Sequence, residues 1–412
     1  MADSYRKKNK IVSSAETIQR KVLYAKAVFG EEEKKAVLAS MDNGWLASGP
    51  QVKQFEIKIA KLFGKKFGVA VNSGSSANLL ALSSIGLPPG CEVITPAMTF
   101  STTAAPIVQN GFIPVFVDCV LGRNTINEDL IEQAISKKTK AILLPHLVGG
   151  IVDLRKVKKI AKKYKLLLLE DSCDTLAPSI DGKLTATYSD ITTTSFYGSH
   201  IITALGMGGM ILTDSEDVRD RIIRKRDWGR IGNDSEAFDK RFNFEIDGIP
   251  YDGKFLYSEL GYNMKLNEAS AAFALAQLKK LPKFLKIRER NFNALKNYFI
   301  KYERWFYVPY LVKGAKTNWL AFPMTIKRDA PFTRYEFLKE LEKNGIQTRV
   351  MFSGNITRHP VYKSIKYKIA SKLTNSDTIM SSGFLLGCHH GMSVKDAQLV
   401  INSSDKFLSQ YK

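Results

Sequence analysis

The chain has 412 residues, of which 44% are hydrophobic and 25% are charged, and its formal net charge is +21. This composition supports a large core in two or more domains and argues against extensive disorder. The basic excess raises the question of a nucleic-acid partner, but the lysines are scattered and no basic block is interleaved with aromatic residues. Such scattering is typical of a solvated, lysine-rich surface, whose positive field favours an anionic small ligand.

The four cysteines are far apart and show neither CxxC spacing nor a disulfide pattern, which fits a reducing cytoplasm. The first ten residues carry basic charge with no apolar core behind it, so we expect no secretory signal there. No apolar stretch approaches the ~20 residues that a membrane helix needs. We therefore predict a cytoplasmic protein.

The first part of the chain predicts mainly helices. The pattern indicates a short helix over residues 22–29 and a longer one over 31–41, which the segment GWLASGP at 44–50 ends. Residues 51–63 are amphipathic and predict a further helix, and residues 67–71 predict a strand.

A loop of small residues, NSGSSAN at 72–78, follows that strand and opens a helix predicted over 79–85. Small residues at a strand-to-helix turn leave amide N–H groups free to hold a phosphate at the positive helix end. Many turns look alike, so this signal is weak by itself.

Strands and helices then alternate. The pattern predicts strands at 92–95, 113–117 and 141–144, and helices at 127–136 and 154–164. Such alternation is typical of a mostly parallel sheet with helices on both faces.

The most informative stretch runs from residue 164 to residue 214. An apolar run at 165–169 ends in Glu170 and Asp171, as in a buried parallel strand that delivers a carboxylate to a crevice. A second strand, 191–196, leads into SFYGSH at 195–200, and a glycine-rich segment precedes a strand at 210–213.

The second half begins with a charged helix at 216–228 and a long polar and aromatic loop at 231–252. Helices at 269–281 and 284–302 follow, separated by Pro282. Strands at 320–326 and 346–351 and a helix at 333–344 indicate a smaller α+β unit. We predict an N-terminal helical segment (1–50), a large domain (51–281) and a small C-terminal domain (282–412).

These motifs, with PAMTF at 96–100 and GYNMK at 261–265, resemble the fold-type I pyridoxal-phosphate superfamily. Within it they resemble the DegT/DnrJ/EryC1/StrS sugar aminotransferases and their dehydratase branch, over the chain from about Phe29 onward. The resemblance implies an aspartate-aminotransferase-like α/β fold with a mostly parallel mixed sheet and a smaller C-terminal α+β domain.

The resemblance also implies pyridoxamine or pyridoxal 5'-phosphate as cofactor. It assigns the cofactor phosphate to Gly74, Ser75, Ser76 and Ser195, the ring face to Phe100, the ring nitrogen to Asp171 and the phenolic oxygen to Asp174. Asn263 would reach the cofactor phosphate of a neighbouring subunit, which implies a homodimer with shared active sites. On the substrate side it points to Trp45, Arg349 and Arg358. Taken singly, Phe100 and Trp45 also fit simple packing, and Asp171 fits a helix cap or a surface acid.

One substitution directs the functional prediction. In the aminotransferases, the segment that matches SFYGSH ends in the lysine that binds the cofactor covalently, whereas here it ends in His200. Family members with histidine at this position are pyridoxamine-phosphate-dependent 3-dehydratases of nucleotide-activated 4-keto-6-deoxy sugars. The resemblance therefore implies that His200 removes a proton from the cofactor methylene and delivers one to the leaving C3 oxygen, which suits a group that titrates near neutral pH.

Two other functions stay open. A sugar aminotransferase would need its lysine, and no lysine lies between Thr185 and Arg224. A binding or regulatory protein that kept the fold and lost the chemistry is the third reading, against which the retention of Asp171, Ser75, Ser76 and Asn263 argues.

The source of reducing electrons separates two dehydratase types in this family. One carries a [2Fe–2S] cluster on four cysteines and receives electrons from a reductase; the other lacks the cluster and recharges its cofactor from glutamate. The chain resembles the first type in overall pattern, but only Cys173 has a counterpart and the loop 231–239 contains no cysteine. One thiolate cannot hold such a cluster, so we predict none, with L-glutamate as the candidate amino donor. The adjacent His389 and His390 cannot both face one ion from a regular strand, so we expect no metal site.

Overall fold

The computed structural model describes residues 21–231 and 237–411. Part of the predicted N-terminal segment (1–20) and the centre of the 231–239 loop lie outside the described residues. None of the helices within those ranges is long and apolar enough to cross a lipid bilayer.

An eight-stranded sheet forms the centre of the molecule. Its strand order is Phe67–Val71, Gly209–Thr213, Ile191–Ser195, Leu167–Asp171, Thr139–Pro145, Glu92–Pro96, Ile113–Val117 and Lys368–Ile369. Gly209–Thr213 is antiparallel to both of its neighbours, and the other pairs are parallel. The prediction of a mostly parallel sheet is therefore confirmed.

Apolar side chains cover both faces of this sheet. Ala70 and Leu212 pack with Phe55 on one face, whereas Val69 and Ile211 pack with Leu80 on the other. Neighbouring residues of one strand thus enter different cores, as expected for a sheet between two helical layers. The helices of the described ranges are Glu31–Asp42, Pro50–Phe63, Gly74–Ser83, Ser101–Gln109, Leu154–Tyr164, Glu216–Arg226, Phe238–Arg241, Glu268–Phe299, Arg334–Lys343, Thr374–Ser382 and Val394–Leu408.

A second, antiparallel sheet lies in the C-terminal part. Its strand order is Phe306–Tyr307, Phe322–Ile326, Gly383–Leu386 and Arg349–Val350. An aromatic core joins this sheet to the end of the long helix Glu268–Phe299, with Phe299, Phe322, Phe337 and Phe384 fully buried. Smaller pairings complete the topology: Ala315–Lys316 with the hairpin Ser179–Ile180 and Lys183–Leu184, and the hairpins Cys119–Val120/Thr125–Ile126 and Phe244–Ile246/Ile249–Tyr251.

The predicted break at Pro282 is wrong. The helix runs without interruption from Glu268 to Phe299 and contains the proline. Leu281 and Phe284, on either side of it, belong to one buried cluster with the sheet, so packing offsets the hydrogen bond that proline cannot donate. The helix crosses the boundary proposed at 281/282, and the division into domains stays a prediction.

Two other predicted helices are also wrong. Residues 22–29 are not helical, because Val22 pairs with Ile346 and the backbone N–H of Tyr24 donates to the side chain of Gln347 at 2.9 Å. In place of a helix at 127–136 there are two 3-10 turns, Glu128–Leu130 and Glu132–Ala134. The Glu128 carboxylate there is held by Arg123 and by the N–H of Asp153.

Candidate active site

A cavity of about 470 Å³ opens at the carboxyl edge of the central sheet. The parallel strands Thr139–Pro145, Leu167–Asp171 and Ile191–Ser195 all end there, which is where α/β sheets bind ligands. Seven of the predicted site residues line it together: Gly74, Ser75, Phe100, Asp171, Asp174, Ser195 and His200.

The end of this cavity at which the phosphate was predicted is a helix N-terminus. The helix begins at Gly74, five residues earlier than predicted, because Ser73 caps it by accepting from the N–H of Ser76 at 3.1 Å. Gly74 and Ser75 therefore lie in the first turn, whose N–H groups have no partner within the helix. The Ser75 hydroxyl donates to Thr102 Oγ1 at 2.9 Å, which fixes its direction. The result is an anion-binding end with hydroxyls beside it.

Asp171 is the buried carboxylate of the cavity and is 4% exposed. Its Oδ2 accepts from Asn78 Nδ2 and from the Thr103 hydroxyl, both at 2.8 Å, and its Oδ1 accepts from the N–H of Cys173 at 3.1 Å. Three donors therefore hold this carboxylate in one orientation. Asn78 is oriented in turn, since its Oδ1 accepts from the Thr193 hydroxyl at 2.6 Å.

Asp174 behaves differently. Burial raises the pKa of its carboxyl to about 7, and the neighbouring charge of Asp171 adds to that effect. The N–H of Val148 donates to Asp174 Oδ2 at 2.7 Å and opposes the shift. Val148 has a left-handed backbone, with φ of 59°, which is uncommon for a β-branched residue. The backbone is thus strained at the position that presents this donor to the site.

His200 lies in the turn after the strand Ile191–Ser195. Its backbone N–H donates to the carbonyl of Tyr197 at 3.0 Å, and its Nδ1 lies 3.4 Å from the carbonyl of Ser195. Burial lowers the pKa of its imidazole to about 4; the hydrogen bond to Ser195 opposes this, and the nearby guanidinium of Arg288 adds to it. The imidazole is therefore neutral at pH 7 and able to accept a proton.

Sequence reasoning missed several residues that the fold brings to this cavity. Asn78 and Thr103 hold Asp171, while Tyr24 and His146 form part of the wall. A signal existed for two of them. His146 directly follows the strand Thr139–Pro145, and Asn78 directly precedes the apolar run 79–82 of its helix.

His146 joins the cavity to a buried acid behind it. Its Nδ1 accepts from the N–H of Val152 at 3.2 Å, so Nε2 carries the proton and donates to Glu170 Oε1 at 2.9 Å. Burial raises the pKa of the Glu170 carboxyl, but hydrogen bonds from His146, Thr185 and Thr192 outweigh burial, so the pKa lies below its usual value. Glu170 thus fixes the imidazole in one orientation.

Five predicted site residues do not line the cavity. Ser76 donates its hydroxyl to Asn72 Oδ1 at 2.6 Å, and Trp45 is 57% exposed with its indole N–H on the carbonyl of Ser48. The Arg358 guanidinium pairs with Asp377 at 2.6 Å. Asn263 and Arg349 lie on the surface, although the Arg349 guanidinium is 5.8 Å from the ring centroid of Tyr24, a cavity residue.

The donor set fits the phosphorylated pyridine that the resemblance implies. Amides and hydroxyls for a phosphate lie at one end of the cavity, and a hydrogen-bonded carboxylate for a protonated ring nitrogen lies at another. The backbone at Gly74 also lies close to the cavity residue Cys173, because a Cβ on Gly74 would be 2.8 Å from Cys173 Sγ. The exposed face of Phe100, which packs edge-on against Phe352, is available for a flat ring.

Comparison with known proteins agrees with this geometry. The sequence model of the DegT/DnrJ/EryC1/StrS aminotransferase family matches residues 28–404. The lipopolysaccharide biosynthesis protein RfbH of Salmonella typhimurium is 38% identical over 92% of this chain and 90% of its own length. The dTDP-4-dehydro-2,6-dideoxy-D-glucose 3-dehydratase of Saccharopolyspora spinosa is 39% identical over 93% of this chain and 86% of its own length.

A solved structure shares the fold along nearly the whole chain. GDP-4-keto-6-deoxymannose-3-dehydratase with a trapped PLP-glutamate geminal diamine superposes with a TM-score of 0.83 at 29% identity, covering 92% of this chain and 98% of that protein. The predicted fold-type I architecture is confirmed.

Proposed function

We propose that this chain, which belongs to the DegT/DnrJ/EryC1/StrS aminotransferase family, is a pyridoxamine-phosphate-dependent 3-dehydratase of a nucleotide-linked 4-keto-6-deoxyhexose. The observation that carries the proposal is His200, a neutral imidazole in the cavity wall where aminotransferases of this family carry lysine. No lysine is among the described residues that line the cavity. The names of the two relatives point to deoxysugar synthesis for surface polysaccharide.

The residues of the cavity have separate tasks in this proposal. When bound, pyridoxamine phosphate would supply the amine that condenses with the C4 ketone and a protonated ring that takes up the electrons of the methylene C–H bond and passes them on to expel the C3 hydroxyl. The first-turn amides at Gly74 and Ser75 and the Ser195 hydroxyl hold the phosphate, and Phe100 covers the ring face. Ser76 would have to exchange its bonds to Ser73 and Asn72 for the phosphate. Asp171 keeps the ring nitrogen protonated, because Asn78, Thr103 and the N–H of Cys173 stabilise its negative charge.

His200 moves the protons. As a neutral imidazole it takes a proton from the methylene carbon beside the amine, and as the resulting imidazolium it gives one to the departing C3 oxygen. Asp174 lies on the phenolic-oxygen side. With a pKa of about 7, its carboxyl exchanges a proton readily near neutral pH.

The substrate enters from the surface beside the cavity. Arg349, whose guanidinium lies 5.8 Å from the ring centroid of Tyr24 in the cavity wall, and the exposed Arg358 are cations that suit a diphosphate. Trp45 is an exposed aromatic side chain that suits a base or sugar face. Arg358 would have to exchange Asp377 for the ligand.

A second copy of the chain completes the site in this proposal. Asn263 is exposed and does not line the cavity of its own chain, and the resemblance places this residue on the cofactor phosphate of the neighbouring subunit. Exposed Tyr257, Leu260 and Tyr262 beside it form an apolar surface suited to a subunit contact.

We infer that L-glutamate recharges the cofactor. One structural relative was trapped with a PLP-glutamate adduct. Cys91, Cys119 and Cys388 are buried at separate places, and only Cys173 lies in the cavity, so these thiols cannot share an iron–sulfur cluster. Iron analysis of the purified protein should therefore give no stoichiometric metal.

The decisive experiment incubates the pyridoxamine-phosphate form with CDP-, GDP-, UDP- and dTDP-linked 4-keto-6-deoxy sugars, with and without L-glutamate. Mass spectrometry of the nucleotide sugar should show loss of one oxygen from the hexose, and the His200→Asn variant should show none. Appearance of a 4-amino sugar with the oxygen retained would establish the aminotransferase instead. If the protein binds no cofactor at all, the result would favour a binding or regulatory protein that kept the fold and lost the chemistry.

A further inference from the structure

Arg288 is a buried cation directly behind the cavity. It projects from the long helix Glu268–Phe299, is 1% exposed, and is among the largest fully buried side chains of the described residues. A buried charge normally needs a counter-ion. Yet no carboxylate in residues 21–231 and 237–411 lies within ion-pair distance of Arg288.

Its partners are backbone carbonyls and one imidazole. Nη2 donates to the carbonyl of His200 at 3.3 Å, and Nη1 donates to the carbonyls of Trp319 and Leu320 at 3.0 and 3.2 Å. Nε donates to His390 Nδ1 at 3.1 Å. One planar guanidinium therefore contacts the turn that carries His200 and the two segments that flank the second sheet.

His200 needs such an anchor. Among residues 21–231 and 237–411, its ring has one polar contact, the long 3.4 Å approach to Ser195, so the direction of the imidazole depends on how its backbone is held. The backbone N–H is fixed by Tyr197 and the carbonyl by Arg288. The contacts of Arg288 also continue to Asp174. Leu320, whose carbonyl accepts from Arg288, donates its N–H to the carbonyl of Val148, and the N–H of Val148 donates to Asp174.

We propose that Arg288 is a positioning residue that holds the His200 backbone against the second sheet and so aims the imidazole into the cavity. This rests on the proposed role of His200 in proton transfer. Arg288 touches neither the cavity nor any reacting atom, so it acts through His200.

The charge of Arg288 has a second consequence. Burial lowers the pKa of His200 to about 4 and the pKa of His390 to about 3, and the positive charge of Arg288 adds to this effect in both cases. The uncompensated cation therefore helps to keep His200 in its neutral, proton-accepting form. The other titratable groups that face the same cavity are Tyr24, His146, Asp171, Cys173, Asp174 and Tyr197.

The test uses Arg288→Gln, which removes the charge, and Arg288→Lys, which keeps the charge but loses the planar fork. Arg290→Gln is the matched control, because Arg290 lies two residues along the same helix and donates to the carbonyl of Met392 without contacting His200. The chain has five histidines, so imidazole NMR signals of the cofactor-free protein are few, and His200→Asn identifies the signal of His200.

In Arg288→Gln we expect the titration midpoint of His200 to move upward, and kcat of the loaded enzyme to fall roughly 10- to 100-fold with KM for the nucleotide sugar unchanged. Arg288→Lys should keep the low midpoint and still lose kcat, and Arg290→Gln should change neither. A native midpoint together with native kcat in Arg288→Gln would overturn the proposal.

If Arg288→Gln does not fold, Arg288→Lys decides: a native kcat with unshifted His200 resonances rejects the positioning role, and a reduced kcat supports it. Failure of the dehydratase assignment is distinguishable, because the native protein would then leave the C3 oxygen on the hexose, while the NMR midpoint still reports whether Arg288 controls His200.

Discussion

The backbone of Gly74 lies so close to Ser195 that a Cβ on Gly74 would be 2.6 Å from the Cβ of Ser195. This contact joins the first turn of the helix Gly74–Ser83 to the end of the strand Ile191–Ser195. The two halves of the proposed phosphate-binding end are thereby set at a fixed separation, and only glycine at position 74 permits it.

Gly74→Ala should therefore push the helix end away from Ser195. We expect a loss of stability of about 1–3 kcal/mol from overpacking, and a weakening of pyridoxamine-phosphate binding by roughly 10-fold or more. Thermal unfolding and a cofactor titration followed by absorbance measure the two effects. Gly198→Ala is the control, since a Cβ there would come no closer than 3.7 Å to its nearest neighbours. Native cofactor affinity in Gly74→Ala would contradict the assignment of this end to phosphate.

Sequence reasoning reached the residues whose position follows from the local pattern. Asp171 ends an apolar strand, and His200 follows the next strand along the chain, so both were expected at the carboxyl edge of a parallel sheet. The family resemblance then supplied their expected roles. The alternation of strands and helices was sufficient for the fold class.

The residues that orient these groups could not be found in that way. Asn78 and Thr103 lie 93 and 68 residues from Asp171, and Arg288 lies 88 residues from His200. No local periodicity encodes such contacts. The helix through Pro282 was missed for the same reason, because its continuity is stabilised by Leu281 and Phe284 packing on the sheet, which a local breaker rule does not include.

Asp171→Asn should disrupt a carboxylate whose two oxygens both accept hydrogen bonds. Oδ2 accepts from Asn78 and Thr103 and Oδ1 accepts from the N–H of Cys173, so an amide NH₂ at either position faces a donor. Leaving that donor unsatisfied costs about 1–3 kcal/mol, and loss of the negative charge should lower kcat about 100-fold or more. Thr103→Val, which removes one donor but keeps the charge, should lose far less activity. Equal losses in the two variants would mean that the charge of Asp171 is not what matters.

The stability of the cofactor-free protein should depend on Asp174 in a definite pH window. In the unfolded chain its carboxyl ionises near pH 4, whereas burial raises its pKa to about 7 in the folded protein. Between these values the folded state holds a proton that the unfolded state has lost, so this group's stabilising contribution is complete below pH 4 and is lost as the pH rises to 7.

Asp174→Asn should remove this pH-dependent loss of stability. The unfolding free energy of the native protein minus that of Asp174→Asn should therefore fall with rising pH, by at most about 1.4 kcal/mol per pH unit within that window. Urea titrations at pH 4, 5.5 and 7 measure it, with the exposed Asp329→Asn as control. Parallel pH profiles for the native protein and Asp174→Asn would show that Asp174 ionises normally.

His200→Lys should change the attachment of the cofactor. An amine at this position can bond covalently to pyridoxal phosphate, which imidazole cannot do, so we expect a borohydride-reducible adduct visible in the intact mass. Elimination at C3 should be lost, because lysine at this position returns the proton to the sugar C4 and so completes transamination instead. His200→Asn should show neither the adduct nor the elimination. If His200→Lys still removes the hydroxyl at the native rate, the role assigned to His200 is wrong.

The proposed shared active site predicts complementation between two inactive variants. In a hybrid dimer of His200→Asn with Asn263→Ala chains, one site combines the native His200 of one chain with the native Asn263 of the other, and the second site carries both changes. Mixing and refolding the two variants should therefore restore activity that neither shows alone. The prediction depends on Asn263 lying outside the cavity of its own chain, next to Leu260, which is 93% exposed. Leu260→Glu should weaken self-association in sedimentation experiments, whereas Tyr335→Glu, at an exposed position on the helix Arg334–Lys343, should not. Absence of complementation in verified hybrid dimers would place Asn263 in the site of its own subunit or outside any site.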